Sequence, residues 1–361
     1  MRNNFTIEFI SIHDLDAKEW NNFLLSTSES TFFCTTDWWR TFDGTYILQI
    51  RDNNQLLVAG IPFRILSVIP LIGRYFKFCW LDSSALVNQN FEESEIYNLK
   101  KMAFESLIKY LRKSQVIVMI ISSKTRSHDA LLFKELFNNV EKSATLVLDL
   151  TKDVDEIVGL FSDDKKYSVR KAQRMGVKTK IFEGKTGTSL IPEYCRLQNK
   201  LFEHKGRSYS NIYYKSESYL NSILSASSTK SYIAISYLND QPVAGDVFVS
   251  YNKIIYNYLG ASDYFLNRTS QASSLLQYDM IKFAKSSGYD TYDFGGISTN
   301  PDPSDSLYGI YNFKKDFGGC RFEYDHASYI LRKRRYWIIK KMRKYENHSV
   351  FRFIYNLLKK Q

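Results

Sequence analysis

Cysteine and histidine are scarce in this chain, four and five among 361 residues, and neither is spaced for chemistry. Cys34, Cys79, Cys195 and Cys320 form no Cys-x-x-Cys pair. That argues against a disulfide framework or a zinc site and leaves buried free thiols as the expectation. His13, His128, His204, His326 and His348 show no His-x3-His or Glu-x-x-His spacing. A metal centre and a Ser-His-Asp triad are therefore not expected. No apolar run approaches the roughly 18–20 residues that span a bilayer; the best is residues 116–121, a strand length. Met1-Arg-Asn-Asn-Phe-Thr-Ile-Glu8 lacks the charged-then-apolar layout of an export signal, so the cytoplasm is the expected compartment. With no linker rich in Gly, Ser or Pro, the halves of the chain are expected to pack rigidly.

What the chain does have is apolar and aromatic content, 44% and 16%, enough for a large folded core. It also has an uneven charge. From residue 331 onward eleven Lys and Arg face a single acid, Glu346, so nearly the whole net charge of +11 sits in the tail. Tyr336, Trp337, Ile338, Ile339 and Met342 recur near helical spacing between those charges. Residues 331–361 thus read as a basic amphipathic helix, suited to RNA phosphates or anionic lipid at the inner face of a membrane, or else docked on the body with a solvated basic face.

The periodicity gives a mixed α+β fold in two parts. Residues 6–12 read as a strand and a helix capped by Asp14 or Asp16 follows to Leu25. A hairpin spans 45–51 and 56–66, a long helix 92–113, a strand 116–122, a helix 128–138 and a strand 144–150. A second hairpin, 231–238 and 242–251, carries Val243-Ala-Gly-x-x-Phe248, an echo of Val58-Ala-Gly-x-x-Phe63 in the first. Matching order on both sides favours a duplicated unit, with domains at residues 1–150 and 151–330 followed by the basic tail at 331–361.

The most informative block is Tyr289-Asp-Thr-Tyr-Asp-Phe-Gly-Gly-Ile297 followed by Gly309-Ile-Tyr-Asn-Phe-Lys-Lys-Asp-Phe-Gly-Gly319. Gly295 and Gly296 let backbone approach a ligand, Tyr311 and Phe313 offer stacking faces, and Lys314 offers a mobile cation. The same residues also fit a strand ending in a Gly turn and a short amphipathic helix with a Gly-Gly stop. This block resembles the end of the Fem-type peptidyltransferases, the FemA/FemB/FemX-like branch of the GNAT acyltransferases. Val169-Arg-Lys-Ala-Gln-Arg-Met-Gly-Val177 and Tyr256-Asn-Tyr-Leu-Gly-Ala-Ser262 extend the resemblance over about residues 150–325.

The resemblance implies two tandem GNAT-like domains, the acyl-CoA N-acyltransferase fold, and an enzyme that forms an amide on an amine of a cell-envelope precursor. The acceptor would be nucleotide- or lipid-linked: a peptidoglycan-like peptide or an amino sugar of a surface polysaccharide. No cofactor is implied. Lys314 falls where the family has a lysine proposed to stabilise the oxyanion. Lys215 and Tyr219, one helical turn apart, resemble the pair that contacts a nucleotide-sugar diphosphate. Arg40, after Trp38-Trp39, is a first-domain candidate for holding a phosphate. Tyr258 can orient substrate, relay a proton or pack its ring in the core; Asp246 can take the proton of the amine or cap a turn; Asp293 suits tying loop amides together. An acetyl-coenzyme A enzyme of the GNAT type has a glycine-rich phosphate loop before its long helix, whereas this chain has Asn267-Arg-Thr-Ser-Gln-Ala-Ser-Ser274. That departure favours aminoacyl-tRNA as donor, with acetyl-coenzyme A as the alternative. A catalytically silent tandem fold that binds RNA or membrane is a third reading.

Overall fold

The computed structural model describes residues 5–67, 75–123, 129–205, 216–305 and 307–344. The chain divides into two compact units, Met1–Lys142 with Tyr324–Gln361, and Ser143–Glu323.

The first unit contains β1 (Thr6–Ser11), α1 (Ala17–Leu25), α2 (Thr36–Trp39), β2 (Thr45–Arg51), β3 (Leu57–Ser67), β4 (Lys77–Leu81), β5 (Leu86–Val87), α3 (Glu93–Lys113), β6 (Val116–Ser122) and α4 (Ala130–Leu136). Its helices begin where side chains replace missing backbone partners. The Asp16 carboxylate accepts the Lys18 and Glu19 amides, and Glu92 with Glu95 closes a capping box on α3. Leu99, Ala103, Phe104, Leu107, Ile108 and Leu111 then line one buried face of α3, the three-and-four spacing of a helix lying on a sheet. Strands β1 to β4 pair antiparallel in order, and β4 runs parallel to β6, the crossover being made by α3.

The second unit repeats this order. It follows β7 (Asn139–Asp149) with α5 (Val154–Gly159), α6 (Asp163–Arg174), β8 (Lys178–Glu183), α7 (Ile191–His204), α8 (Glu217–Leu224), β9 (Ser231–Leu238), β10 (Gln241–Tyr251) and β11 (Ile254–Ser262). Then come α9 (Tyr264–Ser270), α10 (Ala272–Ser286), β12 (Thr291–Ile297), α11 (Tyr308–Lys315) and the start of β13 (Cys320–Ile330), whose remainder belongs, with α12 (Lys333–Lys344), to the first unit. Strands β8 to β11 pair antiparallel, and β11 runs parallel to β12, now with α10 as the crossover. The fold is a mixed α+β fold in which the second unit repeats the element order of the first.

The repeated Val-Ala-Gly has a packing cause. A Cβ on Gly60 of β3 would stand 2.6 Å from the Trp20 ring, and one on Gly245 of β10 would stand 3.2 Å from Leu197. In each unit a helix side chain lies directly on a strand glycine, while Phe63 and Phe248 are fully buried. One exchange breaks the chain order. β12 is flanked by β7, which precedes the second half, and β6 by β13, which ends it.

Three local readings need correction. The fourth helix is shorter than the predicted 128–138, and β7 begins at Asn139 rather than at 144, because its first residues are polar and largely exposed, without the apolar alternation that reveals a strand. Cys34, Cys79 and Cys195 are buried, but Cys320, predicted to be buried, opens β13 exposed. Glycine is required at Gly318: its φ is +78° and a Cβ would stand 2.4 Å from the Leu160 carbonyl oxygen. Gly318→Ala should lower unfolding free energy by about 2 kcal/mol or more, read as a drop in the urea midpoint at unchanged slope.

Candidate active site

The site grows from the place where two parallel strands part. β11 and β12 are paired at Ile254↔Thr291, Ile255↔Tyr292 and Tyr256↔Asp293. Beyond that point β11 continues against β10, and Gly296 and Ile297 of β12 pair with β7. Both strands are irregular there. The β10 register slips between Val247 and Phe248, opposite Leu259 and Asn257, which leaves Tyr258 as the extra residue. The β12 register slips between Asp293 and Gly296. Such bulges re-aim side chains at the end of a pairing. Gly295 has φ +75°, and a Cβ on it would stand 2.9 Å from the Asn257 carbonyl oxygen, so no other residue fits without strain.

Lys314 reaches this opening from α11. Its Nζ donates to the Gly296 carbonyl at 2.9 Å and lies 3.7 Å from where a Gly295 Cβ would be. Burial pulls its pKa down to about 8, partly offset by the charges of Asp293 and Asp246. Asp246, on β10, has the opposite shift. Burial pushes it up to about 7, against the pull of hydrogen bonds from Asn257 and Gln277 and of the Lys314 charge. Its Oδ2 accepts Asn257 Nδ2 at 3.0 Å and also Gln277 Nε2. Gln277 is fixed in turn by the Tyr292 hydroxyl, which donates to its Oε1 at 2.6 Å. Gly260 faces Asp246 across the strands, and a Cβ there would press to 3.0 Å on Asp246 Oδ1. A cation whose pKa is pulled down toward neutrality and a carboxylate whose pKa is pushed up toward it can serve as charge stabiliser and proton acceptor near neutrality.

Other sequence candidates fall around this pair. Asp293 Oδ1 accepts the Gly295 amide at 2.8 Å and the Thr145 hydroxyl; its carboxylate holds the glycine turn. The Tyr258 hydroxyl meets that of Tyr219 at 2.6 Å, so these two distant candidates are brought together. Tyr311 and Phe313 pack half-buried on the core of the second unit, while Lys315 is exposed. Arg40 is exposed at the end of α2 in the first unit. Lys215 lies outside the described residues, and Tyr219 stands in the first turn of α8, which Ser216 caps.

Sequence reading missed Asn257, Gln277 and Lys165. Gln277 carried a signal, a polar residue among the buried Leu275, Leu276 and Met280 of α10. Lys165 of α6 is 5% exposed, with its ammonium 4.1 Å from the Phe313 ring centroid and 4.8 Å from that of Phe317. Burial lowers its pKa to about 8, against the pull of Asp316 and Asp164. α11 therefore rests on a buried cation one residue from Lys314, a contact of the cation–π type.

The start of α10 bears on the donor. Asn267 Oδ1 accepts the Ser273 amide at 2.8 Å, and the Ser274 amide bonds the Gln271 carbonyl. Gln271 itself is left-handed, φ 59°. The Ser273 and Ser274 amides at the start of α10 are thus engaged by the chain itself.

Residues 226–342 match the FemAB family. A lipid II:glycine glycyltransferase of Staphylococcus haemolyticus (strain JCSC1435) is 38% identical over 69 residues, 19% of this chain and 16% of that enzyme. Its counterpart in Staphylococcus epidermidis (strain ATCC 12228 / FDA PCI 1200) is 31% identical over 93 residues, 26% of this chain and 22% of that one. The chain thus aligns with less than a quarter of the length of these relatives. In fold, the crystal structure of FemX superposes with TM-score 0.68 at 17% identity, covering 92% of this chain and 99% of that one. L-PGS from Bacillus licheniformis gives 0.57 at 10% identity, covering 88% and 92%.

Proposed function

We propose that the FemAB-family region at residues 226–342 makes this chain an aminoacyltransferase, which moves an amino acid from aminoacyl-tRNA onto an amine of a lipid- or nucleotide-linked envelope precursor. The observation that carries this reading is the half-buried Lys314 ammonium, aimed at the parted ends of β11 and β12 and held against Gly296. The staphylococcal relatives act on lipid II with glycine, which favours a lipid-linked acceptor here too.

The acyl donor is already an activated ester, so the protein must align partners, take one proton and stabilise one negative charge. The acceptor amine attacks the ester carbonyl, and the new C–N bond places negative charge on the carbonyl oxygen. Lys314 supplies the positive charge that stabilises it. Asp246 accepts the proton lost by the amine, with Asn257 and Gln277 fixing its orientation. Collapse of the intermediate breaks the bond to the ribose oxygen, which leaves as a hydroxyl with the proton that Asp246 took from the amine, so the carboxylate is restored. Tyr258 and Tyr219 form a hydroxyl pair suited to orienting the acceptor.

Coenzyme A as donor is disfavoured by the Asn267 cap on α10. The test is to incubate the protein with lipid II and either tRNA charged with labelled amino acids or labelled acetyl-coenzyme A. Label should pass to the acceptor from tRNA alone. Transfer from acetyl-coenzyme A alone would overturn the donor assignment.

A further inference from the structure

α12 has seven cations and no acid in the sequence KRRYWIIKKMRK. One side of it is accounted for. Ile339 is buried with Phe78, Ile117 and Val118, and Tyr336 packs against the same cluster. Arg335 Nη1 donates to the Tyr75 carbonyl at 3.3 Å and to Gln115 at 3.4 Å. The helix is thus docked on the first unit through residues 335, 336 and 339.

The other side is not explained by docking. Trp337 is 57% exposed and Ile338 42%, and Lys333, Arg334, Lys340 and Lys341 are exposed around them. At 3.6 residues per turn, Lys333, Arg334, Trp337, Ile338 and Lys341 form one continuous strip opposite the docked face. The Lys341 ammonium lies 3.9 Å from the Trp337 ring centroid. A large aromatic and a branched aliphatic side chain lie side by side here, ringed by cations.

We infer that this outer strip of α12 is a docking surface for an anionic lipid bilayer. Trp337 and Ile338 enter the headgroup boundary, while the surrounding Lys and Arg meet lipid phosphates. Nucleic acid is the poorer match, because Ile338 offers neither a stacking face nor a hydrogen bond, whereas an interface buries both side chains. Charge complementarity selects anionic over neutral lipid. The inference does not depend on the transferase reading, since binding is measured without donor or acceptor.

The full-length chain should co-sediment with vesicles of phosphatidylcholine and phosphatidylglycerol, and not with phosphatidylcholine alone, with binding that weakens as salt is raised. Trp337→Ser with Ile338→Ser should weaken it about tenfold. Lys333→Gln with Arg334→Gln and Lys341→Gln should weaken it by about tenfold or more. Both sets are at exposed positions, so melting temperature should hold. Trp20, Trp38 and Trp39 are buried and Trp80 is partly buried with its indole N–H bonded to Asp82, so the part of the quenching by brominated lipid that is lost in Trp337→Phe reads Trp337; the wild type should show that part and the variant should not. Vesicle binding unchanged in both sets of variants would overturn the inference. So would loss of tRNA binding in those variants with vesicle binding retained, which would make the strip a nucleic-acid surface.

Discussion

Lys314→Met should lower the single-turnover rate of amide formation by about 10²–10³-fold and leave the protein folded. An oxyanion that forms where water is partly excluded loses its main counter-charge, and nothing in methionine replaces it. Stability should not fall, because the folded protein holds the ammonium with a pKa near 8 against an ordinary value of 10.5. The unfolded chain binds the proton more tightly, so stability rises with pH between those values and the charged form is a burden below 8. Removing it should leave the melting temperature at neutral pH equal or slightly higher. Rate loss with retained fold separates a catalytic Lys314 from a merely structural one. A Lys314→Met protein with the wild-type rate would remove the assignment.

Asp246→Asn should cost about 10²–10⁴-fold in rate and change the shape of the pH profile. The carboxyl is pushed up to about 7 by burial, so its proton-accepting form gains population as pH rises through that value, and activity should climb with it. Asparagine keeps an oxygen for Asn257 and Gln277 but accepts no proton, so the acid limb should disappear. Because Asp246 and Lys314 feel each other's charge, the two limbs belong to the pair as measured. A rate profile for Asp246→Asn with an intact limb near 7 would place the proton acceptor elsewhere.

Most elements were legible because their signals are local. The alternation of 45–51 and 56–66 and the apolar stripe of the helix read at 92–113 each rest on residues a few positions apart. The Gly-Gly block stands out by its glycines, and Lys314 is singled out only through the family resemblance of the residues around it. The exchange of β7 and β13 was not, since strand partners distant in sequence leave no local pattern. Neither was the hold on Asp246. Asn257 is eleven residues from it and Gln277 thirty-one, and only the bulge at Tyr258 and the turn of α10 bring them to one carboxylate. Lys165 was hidden in a basic helix, where a cation reads as solvent-facing until the Phe313 and Phe317 rings are seen beneath it.

The central claim is that Lys314 acts as a cation whose charge is lost near pH 8, and the pH dependence of the transfer step measures this most directly. Single-turnover transfer from aminoacyl-tRNA should fall on the alkaline side with a midpoint near 8 in the wild type. In Lys314→Arg, slower because the guanidinium is larger and planar, that limb should be absent, since arginine stays charged throughout. The same alkaline limb in both proteins would contradict the account.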